Sequence, residues 1–543
     1  MRFRRRKSVN MVKAILVNEH DNVAMVTSAV EEGQGILVAG SGQSLAAKEP
    51  IGPGHKVALV RMEAGESVIK FGIPIGRLNS AVDAGGLVSV HNLDDVTEEL
   101  LGAYCKEFRE GAKKVKEYPA EDGAREIRKI KAYPRQNGTF GIRNYIMVIS
   151  TSPGTNAAAE AISGRTGCAW FVCDRTRLDG GKITEYTEKA MIYTGRNPNI
   201  YAALVLGDDS GASDSEGIYR GIAETGKPVR YMPLGKNTEQ EAVSDGCAII
   251  NEYQRDAAGL KRELVSMEGF GLAVHCSASD WTTAINGNSS LGAAADILVK
   301  NKGRVFMTEW MEWSGSQHVL AEKCASYELA LELLDTLDGV RATVLRETGR
   351  PVEYMNPVPE QKLHGLTTLV EKSTGTIRKI GSSRIEGLLD FCEQPAGPGV
   401  WLPKHDSVWP PTTAIYGALS GAHMAVHVSG IGYIYYEIPH MICIRATGNP
   451  VTFGNEDFKF DFNAGTAFDG VPIPEIGEAL FEYIVRVAEG GEDPNTEPDK
   501  VKAFNMYYYN ENEFGEKADR SKMLYCKVDD YHEKYDKYTD RVK

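Results

Sequence analysis

The chain has 543 residues, enough for three or four domains, with 42% apolar residues to fill full-sized cores. A formal net charge of −13 argues against nucleic acid as a partner. Nine cysteines, an odd and scattered set with no CxxC pair, argue against a disulfide scaffold and a zinc ribbon, and point to a reducing cytoplasm.

A basic leader, Met1 to Lys7, precedes Met11, which is a second candidate start. The apolar run after it is too short for a signal peptide, and no stretch reads as a membrane span. Short alternating runs at 14–17, 23–27, 57–61, 67–70 and 87–90, separated by Gly and Pro turns, predict a small all-β domain over 1–95. Three stretches carry its polar chemistry: Gly54-His55-Lys56, Ile69-Lys70-Phe71-Gly72 and Val90-His91-Asn92. Histidine shuttles protons near neutral pH and lysine holds a carboxylate, although polar turns of a β domain account for any one of them alone.

A helix over 97–115 and a charged linker with two Tyr-Pro steps fill 96–134. From 135 the grammar changes. Buried-strand runs at 145–150, 202–206 and 229–232 alternate with helices, which predicts a parallel α/β domain over 135–265. A similar order over 266–543 has strands at 271–275, 304–308, 399–402, 424–429 and 441–445, then a strong helix at 475–488 and a polar tail. Ligands of parallel sheets sit beyond the strands' carboxyl ends, here the loops 151–156, 207–214 and 276–288. None is a GxGxxG or P-loop, so no nucleotide cofactor is expected.

Further constellations lie at Arg143-Asn144, where an arginine could clamp a carboxylate, and at His275-Cys276 with Ser279-Asp280. Neighbouring strand residues face opposite ways, so Cys276 rather than the His-Cys pair is the candidate ligand. Glu309, Glu312 and His318 could serve a metal or acid–base chemistry, or simply begin a helix. Glu371-Lys372-Ser373 reads locally as a helix ending at Gly375, and Asn463-Ala464-Gly465 as a turn.

Taken together, Gly54-His55-Lys56, Lys70 to Gly72, His91-Asn92, Arg143-Asn144, Cys276 with Ser279-Asp280, Glu309 to His318, Asn356-Pro357, Gly365 to Thr368, Glu371 to Ser373 and Asn463 to Gly465 resemble the altronate/galactarate dehydratase family, collinearly over nearly the whole chain. The resemblance implies a multidomain fold: an N-terminal SAF-type (β-clip) domain, then α/β domains with largely parallel sheets. It also implies a cytoplasmic lyase that takes the α-proton of a small hydroxy acid and expels the β-hydroxyl to give a 2-keto acid, in a homo-oligomer without nucleic-acid or membrane partners. His55, His91 and Lys56 are then the catalytic candidates. Lys70, Asn92, Arg143, Asn144, Ser279, Asp280 and Lys372 are the substrate-binding candidates.

The family's cysteine loops are rewritten here as Ser152-Pro153-Gly154, Gly207-Asp208-Asp209 and Asn463-Ala464-Gly465, while Cys276 is kept. A divalent Fe, Mn or Mg ion on Cys276 and Glu309 is therefore expected, with Asp208 and Asp209 as further oxygen donors. The rewritten loops and the aromatics Trp281, Trp310, Trp313, Tyr433, Tyr435 and Tyr436 keep two alternatives open. One is a sulfo-lyase that expels sulfite, the other a non-catalytic sugar-acid binder.

Overall fold

The computed structural model describes residues 11–504 except 119–125, 175, 178–180, 236–238, 405–409, 433–437, 496 and 498–499. The expected leader, most of the polar tail with Cys526, and Tyr433, Tyr435 and Tyr436 lie outside the described residues.

The N-terminal domain is all-β, as its alternation predicts. Six strands pair in the order Ser44–Ala46, Gly35–Ala39, Val12–Ile15, Val23–Val26, Lys56–Ala58, Leu87–Val88, with a second sheet of Ser67–Lys70, Ile73–Leu78 and Leu93–Asp94. In the tight hairpin between Lys70 and Ile73, Phe71 and Gly72 both take positive φ (62° and 78°). Such turns match the right-handed twist of the flanking strands. Here the turn also aims the Phe71 ring at the rest of the molecule, where it packs with Met25, Trp281, Ala284 and Ile285.

The helix Thr97–Arg109 is shorter than expected, and its C-terminal turn closes at Gly111 with φ 78°. The expected linker is not all linker. Lys129–Pro134 is a strand, paired antiparallel with Glu263–Ser266 and with Phe140–Gly141.

Both α/β units exist. The first has five parallel strands in the order Val229–Pro233, Ile200–Gly207, Tyr145–Ser150, Ala169–Phe171, Ala503–Phe504. Its last strand comes from the far end of the chain: Ala503–Phe504, in the stretch expected to follow the second unit, pairs with Ala169–Phe171. The second unit has seven parallel strands: Ile385–Leu389, Gly399–Pro403, Arg304–Phe306, Gly271–Ser277, Met424–Ser429, Ile442–Thr447 and Phe462–Asn463. Its central strands are continuous apolar runs because both faces are covered. One face packs on the helices Asn288–Lys300 and Ile473–Ala488. The other shares a core with the first unit, including Met147, Phe171, Ala273, Phe306, Trp401 and Tyr416.

The strand order of the second unit reverses between Gly271–Ser277 and Met424–Ser429, which marks the crevice where such sheets bind ligands. Among the described residues no helix is long and apolar enough to cross a membrane.

Candidate active site at the domain seam

One short helix, Leu369–Thr376, organises the site. It carries a glutamate, a lysine, a serine and three more small polar or glycine positions, yet all eight residues are buried. Burying charge is costly unless each charge is paired and hydrogen-bonded, so its partners are decisive.

Glu371 faces the β domain. Its Oε1 accepts from Lys70 Nζ at 2.6 Å and Lys56 Nζ at 3.1 Å, and its Oε2 from Lys56 Nζ at 3.0 Å. The Thr367 N–H and hydroxyl complete Oε2 at 2.8 and 2.6 Å. Burial pushes this carboxyl up, but Lys56 and Lys70 outweigh it and hold it well below the usual carboxylate range. Burial in turn pushes the Lys56 ammonium down to about 8, against the pull of Glu371. Lys56 also donates to Gly365 O at 3.0 Å, so its three protons are committed. Lys70 spends one proton on Glu371 and lies over the Phe71 ring at 4.9 Å.

The same helix and the turn after it hold two more pairs. Lys372 pairs with Glu312 at 2.6 Å and donates to Asn356 Oδ1. Lys379 pairs with Glu309 and approaches Cys276 Sγ at 3.4 Å, while Cys276 N donates to Glu309 Oε2 at 3.1 Å. Burial raises the Cys276 thiol, with Lys379 opposing, and burial also raises Glu309.

Cys276 and Glu309 thus meet, as expected of two ligands, but around the ammonium of Lys379. Among the described residues no three His, Cys, Asp or Glu side chains gather as a metal would require. Asp208 belongs to the first α/β unit, where it accepts from Ser152 and Ser210. This donor set does not fit a divalent ion.

His55 lies at the same seam. Gly54, at φ 79°, brings the backbone so close to Trp281 that a Cβ would sit 2.0 Å from the indole. His55 Nε2 then lies 3.1 Å from Leu363 O, so the proton resides on Nε2 and Nδ1 carries a lone pair. Burial lowers the imidazole pKa, and Lys56 adds to the shift. The ring is therefore neutral at pH 7. Nδ1 is buried without a hydrogen-bond partner among the described residues, as are Ser279 Oγ, Asn288 Oδ1 and Thr374 Oγ1 on neighbouring segments.

Other predicted residues are held in the fold's own hydrogen bonds or lie apart from this cluster. His91 is exposed in a turn that Asn92 closes, accepting from Ser89 N at 2.8 Å and donating to Leu87 O at 2.7 Å. Arg143 donates to Val487 O at 3.0 Å and to Asp493 at 2.6 Å, clamping the end of the helix Ile473–Ala488. Asn144 accepts from Arg135. Asp280 accepts from the N–H and hydroxyl of both Thr282 and Thr283 through Oδ1, and from Asn449 through Oδ2, so it caps the following helix. Trp281, Trp310 and Trp313 are buried packing residues.

His275 and Cys276 do face opposite ways. His275 aligns with His427 on the next strand, ring centroids 6.2 Å apart, and Ser277 Oγ lies 2.7 Å from His427 Nε2.

Lys379 and Thr374 were missed by sequence reasoning, and Glu371 was read only as part of the Glu371-Lys372-Ser373 motif, with no role at the site. Their signal was a charged pair inside a segment otherwise made of small and apolar residues.

Three family models match in chain order: "Altronate/galactarate dehydratase SAF domain" over residues 12–96, "D-galactarate dehydratase/Altronate hydrolase, second domain" over 132–258, and "D-galactarate/Altronate dehydratase, C-terminal" over 267–510. Altronate dehydratase of Escherichia coli is 27% identical over 506 residues, 89% of this chain and 97% of that one. Altronate dehydratase of Bacillus subtilis is 25% identical over 506 residues, 88% and 96% of the two chains. The (2R)-sulfolactate sulfo-lyase subunit beta of Chromohalobacter salexigens is 28% identical over 353 residues, 64% of this chain and 90% of that subunit. With three domain matches in order over the β domain and both α/β units, the chain belongs to the altronate/galactarate dehydratase family.

Proposed function

We propose that this chain is a carbon–oxygen lyase that removes water from a small polyhydroxylated acid to give a 2-keto acid. The observation that carries the reading is His55, a neutral imidazole with an unpartnered buried lone pair on Nδ1, set beside a lysine pair that shares one carboxylate. Membership in a family that includes sugar-acid dehydratases supports the reaction class.

His55 Nδ1 takes the proton α to the substrate carboxylate. The negative charge that develops on the carboxylate oxygens faces Lys56 and Lys70, two ammoniums against the single charge of Glu371. Preorganised charge of this kind, in a site closed to water, stabilises an enediolate strongly. Lys56 acts through its field, because its protons are committed, while Lys70 has donors left to reach the carboxylate. As the β-carbon–oxygen bond breaks, the imidazolium of His55 returns its proton to the departing oxygen, which leaves as water. The resulting enol becomes the 2-keto acid. Ser279, Asn288 and Thr374 offer unmatched polar atoms to the remaining hydroxyls, which is the complement a polyol chain needs.

The sulfo-lyase relative favours one second reading, with sulfite as the leaving group. Both are tested by incubating the purified chain with hexonates, aldarates and sulfonated hydroxy acids while following 2-keto acid and sulfite. Keto acid without sulfite supports the dehydratase, and sulfite release supports the second reading. Ligand-induced thermal stabilisation without any product would replace both with a binding protein.

A further inference from the structure

The helix Leu369–Thr376 runs on into a tighter turn, Ile377–Ile380, and its seam-facing stripe runs on with it. Residues 371, 374 and 378 recur at helical spacing, so they share one side. Glu371 meets the lysine pair, and Thr374 keeps an unmatched Oγ1. Arg378 is the next member of the stripe. Its guanidinium lies over the Phe71 ring, with Cζ 4.8 Å from the centroid, and the Lys70 ammonium lies 4.9 Å from the same centroid. Gly375 lets the helix come this close, because a Cβ there would sit 2.5 Å from that of Ala284, which packs in the Phe71 cluster.

Arg378 differs from the cations already described in being uncommitted. Among the described residues it makes no ion pair, and its one hydrogen bond is long, from Nη1 to Ser289 Oγ at 3.4 Å. A guanidinium has five N–H donors. The residue is half-buried, and none of its nitrogens is both shut away and unpartnered, so the free donors reach solvent. Burial pushes this guanidinium down, with Asp21 opposing from beyond ion-pair distance. The Asp21 carboxylate is itself spent on the hairpin, accepting from Gly72 N at 2.8 Å and Asn18 N at 3.0 Å. A partly desolvated guanidinium, fixed on an aromatic face with donors to spare, is a strong receptor for an oxyanion.

We propose that Arg378 selects a substrate that is acidic at both ends, binding the second oxyanion while the reacting carboxylate faces Lys70. The inference rests on the lyase reading of the seam, and within that reading it makes the substrate a hydroxy diacid of the aldarate type. A sulfonate in place of the second carboxylate presents the same chemistry to the guanidinium. A sugar acid that ends in a hydroxymethyl group would strip water from Arg378 and return no counter-charge. A site built to bind a polar group rejects the analogue that lacks it for this reason.

The test is titration calorimetry on the full chain, as wild type and as His55→Ala, in which turnover does not obscure binding. The probes are hexarates set against the matching hexonates, which carry a hydroxymethyl group in place of the second carboxylate, and sulfolactate. A hexarate binds at least about tenfold tighter than its hexonate, the usual consequence of a charge-assisted contact. Arg378→Met removes this preference by weakening the hexarate alone, whereas a merely structural role would weaken both acids alike. Arg378→Lys, which keeps the charge without the fork, restores part of the preference and guards against a misfolded methionine variant. Sulfolactate that binds tightest, and loses its advantage in Arg378→Met, supports the proposal with sulfonate as the second oxyanion. The proposal is overturned if no acid with two anionic ends binds, if hexonates bind as tightly as hexarates, or if both weaken equally in Arg378→Met. Keto acid formed from hexonates as readily as from hexarates would overturn it while leaving the lyase reading intact. Hexarate binding that depends on Arg378 without any product would support the role of Arg378 and remove the lyase reading.

Discussion

At the scale of single residues, His55 sets the pH behaviour. A general base works when deprotonated, and burial lowers this imidazole below the ordinary histidine value of about 6.5. Activity should therefore be full at neutral pH, fall on acidification below that value, and fall again on the alkaline side where Lys56, held down to about 8, loses its charge. A pH–rate profile whose acid limb lies at or above neutrality would remove His55 from the role. His55→Ala should keep its fold, because the ring makes one hydrogen bond, to Leu363 O. It should nevertheless lose at least about 10²-fold in kcat, the usual scale of one acid–base group. Arg143 makes the contrasting case. Its guanidinium clamps a helix end to the acidic Asp493, so Arg143→Met should lower the thermal midpoint and leave kcat/KM of the folded protein unchanged. A raised KM with an unchanged midpoint would restore it to the substrate.

At the scale of elements, the helix Leu369–Thr376 holds together parts of the chain that are remote in sequence. Glu371→Gln would leave Lys56 and Lys70 buried with no counter-charge, and removing one partner of a buried pair costs about 3–5 kcal/mol. Urea unfolding that shows a loss under about 1 kcal/mol would mean that water reaches the site. The pH sign follows from the depressed carboxyl. Its stabilising contribution is fully present above the ordinary carboxylate value of about 4.3 and is lost as pH falls through the lower folded value. The Gly54 turn is the matching element of the β domain. Gly54→Ala places a methyl 2.0 Å from Trp281 in a backbone region that disfavours side chains. It should cost at least about 1–3 kcal/mol and separate the melting of the β domain from that of the rest, as read by calorimetry.

At the scale of the whole molecule, the sequence disclosed what is periodic or continuous. Alternation revealed the β domain, and apolar runs such as 145–150 and 424–429 revealed the parallel strands. It hid what depends on distant partners. Ala503–Phe504 is too short to read as a strand until Ala169–Phe171 stands beside it, and the charges of Lys129–Pro134 disguised the middle strand of a three-stranded sheet as a linker. The site divided in the same way. His55, Lys56 and Lys70 were legible because they sit on a small domain with few other histidines and lysines at strand edges. Glu371 was not, because its identity as their common partner is a fact about residues more than 300 positions away. Arg143, Asn92 and Asp280 were chosen for residue type, yet their hydrogen bonds close turns, cap a helix and join segments.

The 301-residue separation of Lys70 and Glu371 also has a temporal meaning. At a synthesis rate of roughly 5–20 residues per second, the β domain emerges about 15–60 s before its acid exists. For that interval Lys56 and Lys70 face water, which suits ammonium groups and keeps the orphaned surface from sticking to other nascent chains. Once Glu371 is made, the same two charges become the reason the domain docks in only one place. The lysine pair thus protects the unfinished protein first and commits it to its final arrangement afterwards.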